Sequence, residues 1–119
     1  MECCICAEDE PGSADLPRGK QVVCGALKVN TLLENSQLHN KSSLFAKITL
    51  KPGRKTPYHK HEGDCEVYYI VSGHAQVNDN GSLKDVKAGD IIFTDNGESH
   101  SLENIGDTDL EFIALILKL

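Results

Sequence analysis

The stretch Gly53–Gly73, GRKTPYHKHEGDCEVYYIVSG, decides the fold. Its two histidines, His59 and His61, are two residues apart, so both side chains would point to the same face of an extended strand. A glycine and two acidic residues follow and predict a tight turn before a strand that begins at Glu66. A chain folded back at this turn brings the Glu66 carboxylate to the imidazole pair. Together they form an open metal site that lacks only a third nitrogen ligand, for which His100 is the candidate.

Two spaced motifs lie between Gly53 and Asn104. The first reads glycine, five residues, His-x-His, three or four residues, glutamate, six residues and glycine, and it is met by Gly53, His59, His61, Glu66 and Gly73. The second reads glycine, five residues, proline, one residue, glycine, two residues, histidine, three residues and asparagine, and it is met by Gly89, Gly97, His100 and Asn104. Asp95 stands at the proline position, which belongs to a turn and is not a ligand. Both motifs resemble those of the cupin superfamily, in its small single-domain form.

This resemblance implies an all-β jelly-roll, or double-stranded β-helix, barrel with one divalent metal ion inside. The ligands that it implies are His59, His61, Glu66 and His100. Three neutral imidazoles and one carboxylate suit Mn, Fe, Co, Ni or Zn, and they leave two octahedral positions free for a small molecule. The alternative is a barrel that keeps these side chains without a metal, at a large desolvation cost. His39 and His74 fall in predicted turns and are interpreted as ordinary surface or core histidines.

The rest of the chain predicts short antiparallel strands, whose spacing alone is typical of a sandwich or a barrel. Residues 1–20 are predicted as an irregular tail and residues 21–119 as one domain, with a first strand from Gln21 to Val29. The segment Ser43–Leu50 alternates, and its even-numbered residues should face the core. Asn80-Gly81 favours a hairpin, and no segment has convincing helical periodicity. Further strands are expected at residues 66–72, 75–78, 84–87, 90–94, 99–104 and 110–118.

Composition narrows the possible partners and location. The 119 residues carry a formal charge of −6, which argues against binding to nucleic acid. The longest uninterrupted apolar run, Phe112–Leu117, is far shorter than the roughly 20 residues that span a bilayer. The N-terminus has neither a basic start nor a long apolar centre, so it does not resemble a secretory signal. We therefore expect a cytoplasmic protein without a membrane segment.

The five cysteines are an odd number, and in a reducing cytosol they are expected to be thiols. Cys3, Cys4 and Cys6 could bind a soft metal, but no fourth ligand lies nearby in the sequence. A frayed terminus that oxidises on storage is the preferred interpretation. Cys65 immediately precedes Glu66, so it should point away from the metal as a small loop residue.

The same strand alternation predicts the wall of a ligand pocket. The residues assigned to this wall are Ala46, Ile48, Tyr68, Phe112 and Ala114. Tyr68 is the one obvious hydrogen-bonding side chain among them and the candidate catalytic acid or base. The two arginines, Arg18 and Arg54, fall outside the inward positions, whereas an oxalate-like diacid would be expected to need a cationic clamp. A small molecule that chelates the metal through one or two oxygens fits better.

Two classes of function remain open at this point. The first is a metal-dependent enzyme, an oxygenase, isomerase, lyase or decarboxylase acting on a small oxygenated molecule. The second is a metal-bearing module that binds or senses a small molecule without converting it. The resemblance is compatible with both, because the superfamily hosts both kinds of protein. Tyr68, as the only candidate proton carrier, favours the enzyme.

Apolar residues on the outward faces of two strands predict a homodimer. On both strands, the side chains opposite the inward face are apolar where a lone barrel should be polar. These residues are Val67, Tyr69, Val71, Ile113, Leu115 and Leu117. The alternative cover is the N-terminal strand at Gln21–Val29, folded over its own barrel. A symmetric partner would cover both outward faces, and two-fold dimers are the commonest closed assembly.

Overall fold

The computed structural model describes residues 21–24, as backbone, and residues 27–119 with their side chains. The predicted tail at residues 1–20, with Cys3, Cys4, Cys6 and Arg18, lies outside the described residues. Ten strands follow in chain order: β1 (Gln21–Cys24), β2 (Leu27–Thr31), β3 (Ser42–Leu50), β4 (His59–Lys60), β5 (Asp64–Ser72), β6 (His74–Asp79), β7 (Ser82–Lys87), β8 (Ile91–Thr94), β9 (Ser99–Asn104) and β10 (Leu110–Lys118). A four-residue 3₁₀ helix, Asn35–Leu38, is the one helix in this described part, and nothing there has the length and apolarity of a bilayer-spanning helix.

The strands form two antiparallel sheets that pack around one apolar core. The first sheet has six strands in the order β1-β2-β3-β10-β5-β8, and the second has four in the order β4-β9-β6-β7. The core contains Ile48, Ile70 and Phe112 from the six-stranded sheet, and Val77 and Leu102 from the four-stranded sheet. The all-β jelly-roll fold predicted from the sequence is confirmed.

Period-two alternation sets the inner face of the six-stranded sheet. In β3, Ala46, Ile48 and Leu50 are buried, which confirms the predicted inward face of this strand. Backbone pairing places Ile48 opposite Phe112 of β10, and Phe112 opposite Ile70 of β5. Because a one-residue slip would turn each of these side chains to the other face, the apolar pattern specifies the register.

The prediction of one strand over Gln21–Val29 was wrong. This segment contains two strands, β1 and β2, which pair with each other in antiparallel fashion. Alternation of apolar and polar residues does not distinguish one long strand from two short ones. The boundary between β1 and β2 depends on the pairing of the two strands. Strand β2 also pairs with β3, so the hairpin extends an edge of the six-stranded sheet instead of folding over its outer face. The alternative cover considered above is therefore excluded for these strands.

Two shorter elements differ from expectation for local reasons. No helix was expected from the sequence, and the short 3₁₀ helix begins with a capping box between Glu34 and Gln37. Strand β5 begins at Asp64, two residues before the expected Glu66, because Asp64 and Cys65 pair with the C-terminal strand β10. The Asn80-Gly81 hairpin is confirmed, with both residues at positive φ between β6 and β7.

The outer face of the six-stranded sheet carries a broad apolar surface, here called the outer patch. Backbone register aligns its side chains in rows that cross β3, β10, β5 and β8. The outer patch consists of Phe45, Val67, Tyr69, Val71, Ile91, Phe93, Ile113, Leu115 and Leu117. Ile91 is 66% exposed, Phe93 52% and Tyr69 45%. The six outward residues singled out in the sequence all belong to this surface, and none of them is buried.

Gly73 and Gly81 offer a matched test of backbone packing. Both have positive φ, of 103° and 94°. A Cβ at Gly73 would lie 3.0 Å from the Leu110 Cα and 3.1 Å from the Asp109 carbonyl oxygen, whereas a Cβ at Gly81 meets nothing within 4 Å. We expect Gly73→Ala to lower the free energy of unfolding by about 3 kcal/mol, from strain and overpacking, and Gly81→Ala by about 1 kcal/mol, from strain alone. Urea denaturation measures both, and equal losses would contradict the role of the close approach at Gly73.

Candidate metal centre

Four polar side chains converge in the interior, as the sequence spacing predicts. The Nε2 atoms of His59, His61 and His100 lie 3.1 Å from one another. Glu66 Oε1 lies 2.9 Å from His61 Nε2 and 3.0 Å from His100 Nε2. His61, Glu66 and His100 are buried, and His59 is half-buried. These four residues form a group that could hold one metal ion.

The scaffold brings the four residues together from both sheets. His59 of β4 pairs directly with His100 of β9 in the four-stranded sheet. Glu66 points inward from β5 of the six-stranded sheet. His61 follows β4, and its backbone is held by the turn before β9: its N–H donates to Glu98 O, and its carbonyl accepts from Gly97 N–H. Three of the ligand candidates therefore lie on strands of the barrel, and His61 is bonded to the turn that precedes β9.

The turn that holds His61 contains Asp95, where the resemblance expects proline. The Asp95 N–H donates to Glu98 Oε1 at 2.9 Å, and the Glu98 N–H donates to Asp95 O at 3.0 Å. A proline would have no N–H for the first of these bonds. Asn96 Oδ1 accepts from the Gly63 N–H, which ties this turn to the loop after His61. The substitution changes the bonding within the turn and leaves His61 and His100 at the centre.

Each imidazole has its other ring nitrogen bonded on the side away from the centre. His59 Nδ1 donates to Pro57 O, and His61 Nδ1 donates to Asp64 Oδ1, both at 2.8 Å. Carbonyl and carboxylate oxygens only accept, so in their neutral form these two rings carry the proton on Nδ1 and present an Nε2 lone pair to the centre. For the third ring, Thr94 Oγ1 lies 2.7 Å from His100 Nδ1.

Sequence reasoning missed two of these outer partners, although the strand pattern contained the signal. Asp64 lies two residues before Glu66 in β5, so alternation places both on the inner face. It was assigned to a turn instead. Thr94 follows the buried Ile92 by two residues in β8 and is also completely buried. A polar residue at an inward strand position is the feature that identifies both.

The spacing of the four atoms fits a metal ion. For metal–ligand bonds of about 2.1 Å, neighbouring ligands are about 3.0 Å apart in an octahedron and about 3.4 Å apart in a tetrahedron. The observed separations of 2.9–3.1 Å match the octahedral edge. Glu66 Oε2 is buried and has no hydrogen-bond partner among the described residues. An unpaired buried carboxylate oxygen and three converging lone pairs are the features that a cation would satisfy.

A metal requires an ionised carboxylate and neutral imidazoles, and the electrostatics favour these states at Glu66 and His59. Burial raises the pKa of Glu66, but hydrogen bonds from His100 and His61 outweigh it, and the net pKa is lowered. Burial lowers the pKa of His59, and the nearby His100 and His61 add to this effect against the Pro57 hydrogen bond. Burial also lowers the pKa of His61, but hydrogen bonds to Glu66 and Asp64 reverse the balance, so its pKa is raised. The carboxylate thus stays ionised and His59 stays neutral.

The proposed pocket wall is apolar and tightly packed beside this group. Ala46, Ile48, Tyr68, Phe112 and Ala114 are all completely buried. The Tyr68 ring stacks on His100, with centroids 4.9 Å apart and planes 16° apart, and it meets the edge of Phe112. No lysine or arginine in the described ranges is buried, and Arg54 is exposed as expected. The wall therefore offers Tyr68 and no cationic group.

The remaining candidate residues lie away from the centre. His39 ends the 3₁₀ helix and His74 begins β6, and both are exposed, in agreement with their interpretation as ordinary histidines. His74 is a strand residue, not a turn residue. Cys65 was expected to be a loop residue. It is instead a buried residue of strand β5. Burial, with the charges of Asp95 and Asp64, raises the pKa of its thiol.

A family model and similar proteins were found by comparison with known proteins. The model of the cupin domain matches residues 46–116. A Thermotoga maritima protein named oxalate-binding protein is 50% identical over 95 residues, which are 80% of this chain and 78% of that protein. A Methanocaldococcus jannaschii protein called uncharacterized protein MJ1618 is 36% identical over 73 residues, 61% of this chain and 58% of that protein.

Solved structures share the architecture over most of the chain. The crystal structure of a predicted oxalate decarboxylase from Thermotoga maritima matches with a TM-score of 0.79 and 42% identity, over 99% of this chain and 100% of that one. The cupin domain of Cnp3 from Schizosaccharomyces pombe matches with a TM-score of 0.70 over 78% of this chain and 65% of that one. Its identity of 17% makes it evidence for the fold alone.

Proposed function

This chain belongs to the cupin family, and we propose that it holds one divalent metal ion and uses it to bind a small molecule that chelates through two oxygens. The ligands of the metal are His59, His61, Glu66 and His100. The observation that carries the proposal is the octahedral spacing of these four ligand atoms. Their spacing suits Mn, Fe, Co, Ni or Zn, and the affinity order among these metals does not select one.

The same spacing indicates where a ligand would bind. The three Nε2 atoms lie 3.1 Å from one another, and Glu66 Oε1 lies 2.9 Å and 3.0 Å from the nitrogens of His61 and His100. A six-coordinate ion held by these four side chains would have two positions left for other ligands. One molecule that donates two oxygens would suit these positions.

Oxalate is the first ligand to consider. The Thermotoga maritima relative that is 50% identical is named oxalate-binding protein, and oxalate presents two oxygens to a metal. The sequence argument disfavoured oxalate-like diacids because no arginine points inward, and the described lysines and Arg54 are indeed not buried. We propose that the metal supplies the positive charge to which oxalate binds in this chain. Binding should then depend strictly on the metal, because nothing else in the apolar wall compensates a buried anion.

Catalysis is the second candidate, and Tyr68 is the observation that favours it. Tyr68 is completely buried and stacks on His100, so its phenol lies beside the metal ligands. The metal, when bound, supplies Lewis acidity to the oxygens that it holds. Tyr68 would hold or deliver a proton to a molecule bound there. The crystal structure with 42% identity is called a predicted oxalate decarboxylase, which makes a lyase reaction the first to test.

A homodimer is part of this proposal. The outer patch exposes large apolar side chains in contiguous rows, and β1–β2 extends the sheet edge without covering them. At about 25 cal/mol per Å² of apolar surface, covering such a face is worth several kcal/mol. A second copy brings an identical apolar face to meet it, which is the self-complementary arrangement of a two-fold dimer. The cytoplasmic location and the absence of nucleic-acid binding stay predictions from composition.

We expect the double variant His59→Ala/His61→Ala to lose its metal, because only Glu66 and His100 would remain as ligands. The measurement is elemental analysis of protein equilibrated with Mn²⁺ or Co²⁺ and then desalted. Wild type should retain about one ion per chain, and the variant close to none. One retained ion per chain in the variant would disprove the proposed ligand set.

The matched control is His39→Ala/His74→Ala, which removes two exposed histidines and should retain the metal. Chelation provides a second control, since the metal stabilises the fold that binds it by mass action. A chelator should lower the melting temperature of wild type and of this control. It should leave the melting temperature of His59→Ala/His61→Ala unchanged.

We expect oxalate to bind the metal-loaded protein at one molecule per chain, and at least about 100-fold more weakly after metal removal, because no lysine or arginine of the described residues is buried to replace the metal. Isothermal titration with both forms measures this. Absence of binding to the loaded form would exclude oxalate as the ligand.

Release of carbon dioxide or formate during incubation with oxalate, abolished in Tyr68→Phe, would establish the enzyme, whereas binding without any product favours the binding module.

We expect Tyr69→Asp to convert a dimer into a folded monomer, because it places a charge in the middle of the outer patch. Sedimentation at micromolar concentration measures the association, and circular dichroism measures the fold. The matched control is Leu83→Asp, since Leu83 is 62% exposed on β7 of the other sheet. A wild-type protein that sediments as a 13.0 kDa species at all concentrations would rule out the dimer.

A further inference from the structure

We infer that Asp64 is a positioning residue of the metal centre, whose carboxylate holds His61 in the tautomer and orientation that present Nε2 to the metal. This inference rests on the metal binding proposed above. Neither family motif contains this position, which lies three residues after His61 and two before Glu66. It concerns the partner of a ligand and not a further ligand.

The first step is the contact itself. Asp64 Oδ1 accepts a hydrogen bond from His61 Nδ1 at 2.8 Å, and the two side chains are 15% and 1% exposed. An ionised carboxylate can only accept, so the bond exists only when the His61 proton is on Nδ1. That tautomer leaves the Nε2 lone pair directed toward Glu66 and His100, where the metal would lie. The alternative tautomer would put a proton at the ligand position.

The second step is the rigidity of the carboxylate. Asp64 is the first residue of β5 and pairs with Lys118 of β10, so its backbone belongs to a strand. The residue before it, Gly63, donates its N–H to Asn96 Oδ1 and accepts from the Leu119 N–H. The His61 backbone is bonded on both sides to the turn before β9. Both ends of the Asp64–His61 bond are thus anchored before any metal binds, as a precisely placed site requires.

The third step is the comparison among the three imidazoles. The Nδ1 partners are a carbonyl oxygen for His59, a hydroxyl oxygen for His100 and a carboxylate for His61. Asp64 therefore supplies the one charged partner. An anion that accepts the Nδ1 proton increases electron density on the imidazole and makes Nε2 a stronger donor to a cation. Loss of such outer partners typically weakens metal binding about 10–100-fold.

The test is Co²⁺ affinity, measured by competition with a chelating dye, for wild type, Asp64→Ala and Asp64→Asn. We expect Asp64→Ala to bind Co²⁺ about 10–100-fold more weakly. Asparagine keeps an acceptor oxygen without the charge, so Asp64→Asn should recover part of this loss. The visible absorption spectrum of bound Co²⁺ should change in Asp64→Ala, because a reoriented His61 alters the ligand field. A general loss of stability would leave the spectrum of the bound ion unchanged.

The matched control is Asp85→Ala, which removes an exposed carboxylate from β7 and should leave Co²⁺ affinity within about twofold of wild type. If Asp64→Ala fails to fold, Asp64→Asn carries the test, and its affinity must still fall below that of Asp85→Ala. Wild-type affinity in Asp64→Ala, or equal losses in the alanine and asparagine variants, would overturn the positioning role while metal binding stands. A wild type that binds no Co²⁺ and no other divalent metal would overturn both proposals.

Discussion

The burial of two imidazoles and a carboxylate, with a third, half-buried imidazole beside them, is the constraint on which the rest of this structure depends. Removing ionisable groups from water is costly unless each polar atom finds a partner. Here the contacts form two layers: Glu66 Oε1 lies 2.9–3.0 Å from the Nε2 atoms of two rings, and each ring has a further oxygen partner at Nδ1. Among the described residues, Glu66 Oε2 is buried without a hydrogen-bond partner, and it belongs to the residue that would face the proposed cation. A bound cation would give this oxygen a partner.

This polar group also joins the two sheets of the barrel. His59 and His100 belong to the four-stranded sheet, whereas Glu66 belongs to the six-stranded sheet. The outer partners Asp64 and Thr94 lie on β5 and β8, so they also come from the six-stranded sheet. Each of these contacts therefore connects the imidazole side of the barrel to the opposite wall. A metal bound at this position would tie the sheets together, which explains why we expect its removal to lower the stability of the whole domain.

The apolar wall around the centre restricts the chemistry that the site can perform. The buried residues beside the ligands offer an aromatic hydroxyl, Tyr68, and no lysine or arginine from the described part of the chain. An anionic ligand would thus be recognised through the metal, and its selectivity would come from chelate geometry and the size of the space. This reasoning accommodates the oxalate-binding relative without a cationic clamp. The fold alone does not decide between binding and catalysis.

Sequence by itself determined the all-β class, because the spacing of short strands is local, and the family resemblance of the two motifs indicated the jelly-roll and the four residues that converge. The motif distances identify His59, His61, Glu66 and His100, and period-two alternation predicts β3, β9 and β10 closely. Tertiary structure decided the strand pairing and the side-chain contacts, because these depend on residues that are distant in the chain. The β1–β2 hairpin and its place at the sheet edge follow from pairing with β3. The spacing of the four ligand atoms and the contacts of Asp64 and Thr94 follow from where the strands bring side-chain atoms. Alternation indicates which face a side chain takes, but only packing across the barrel specifies which atom it meets.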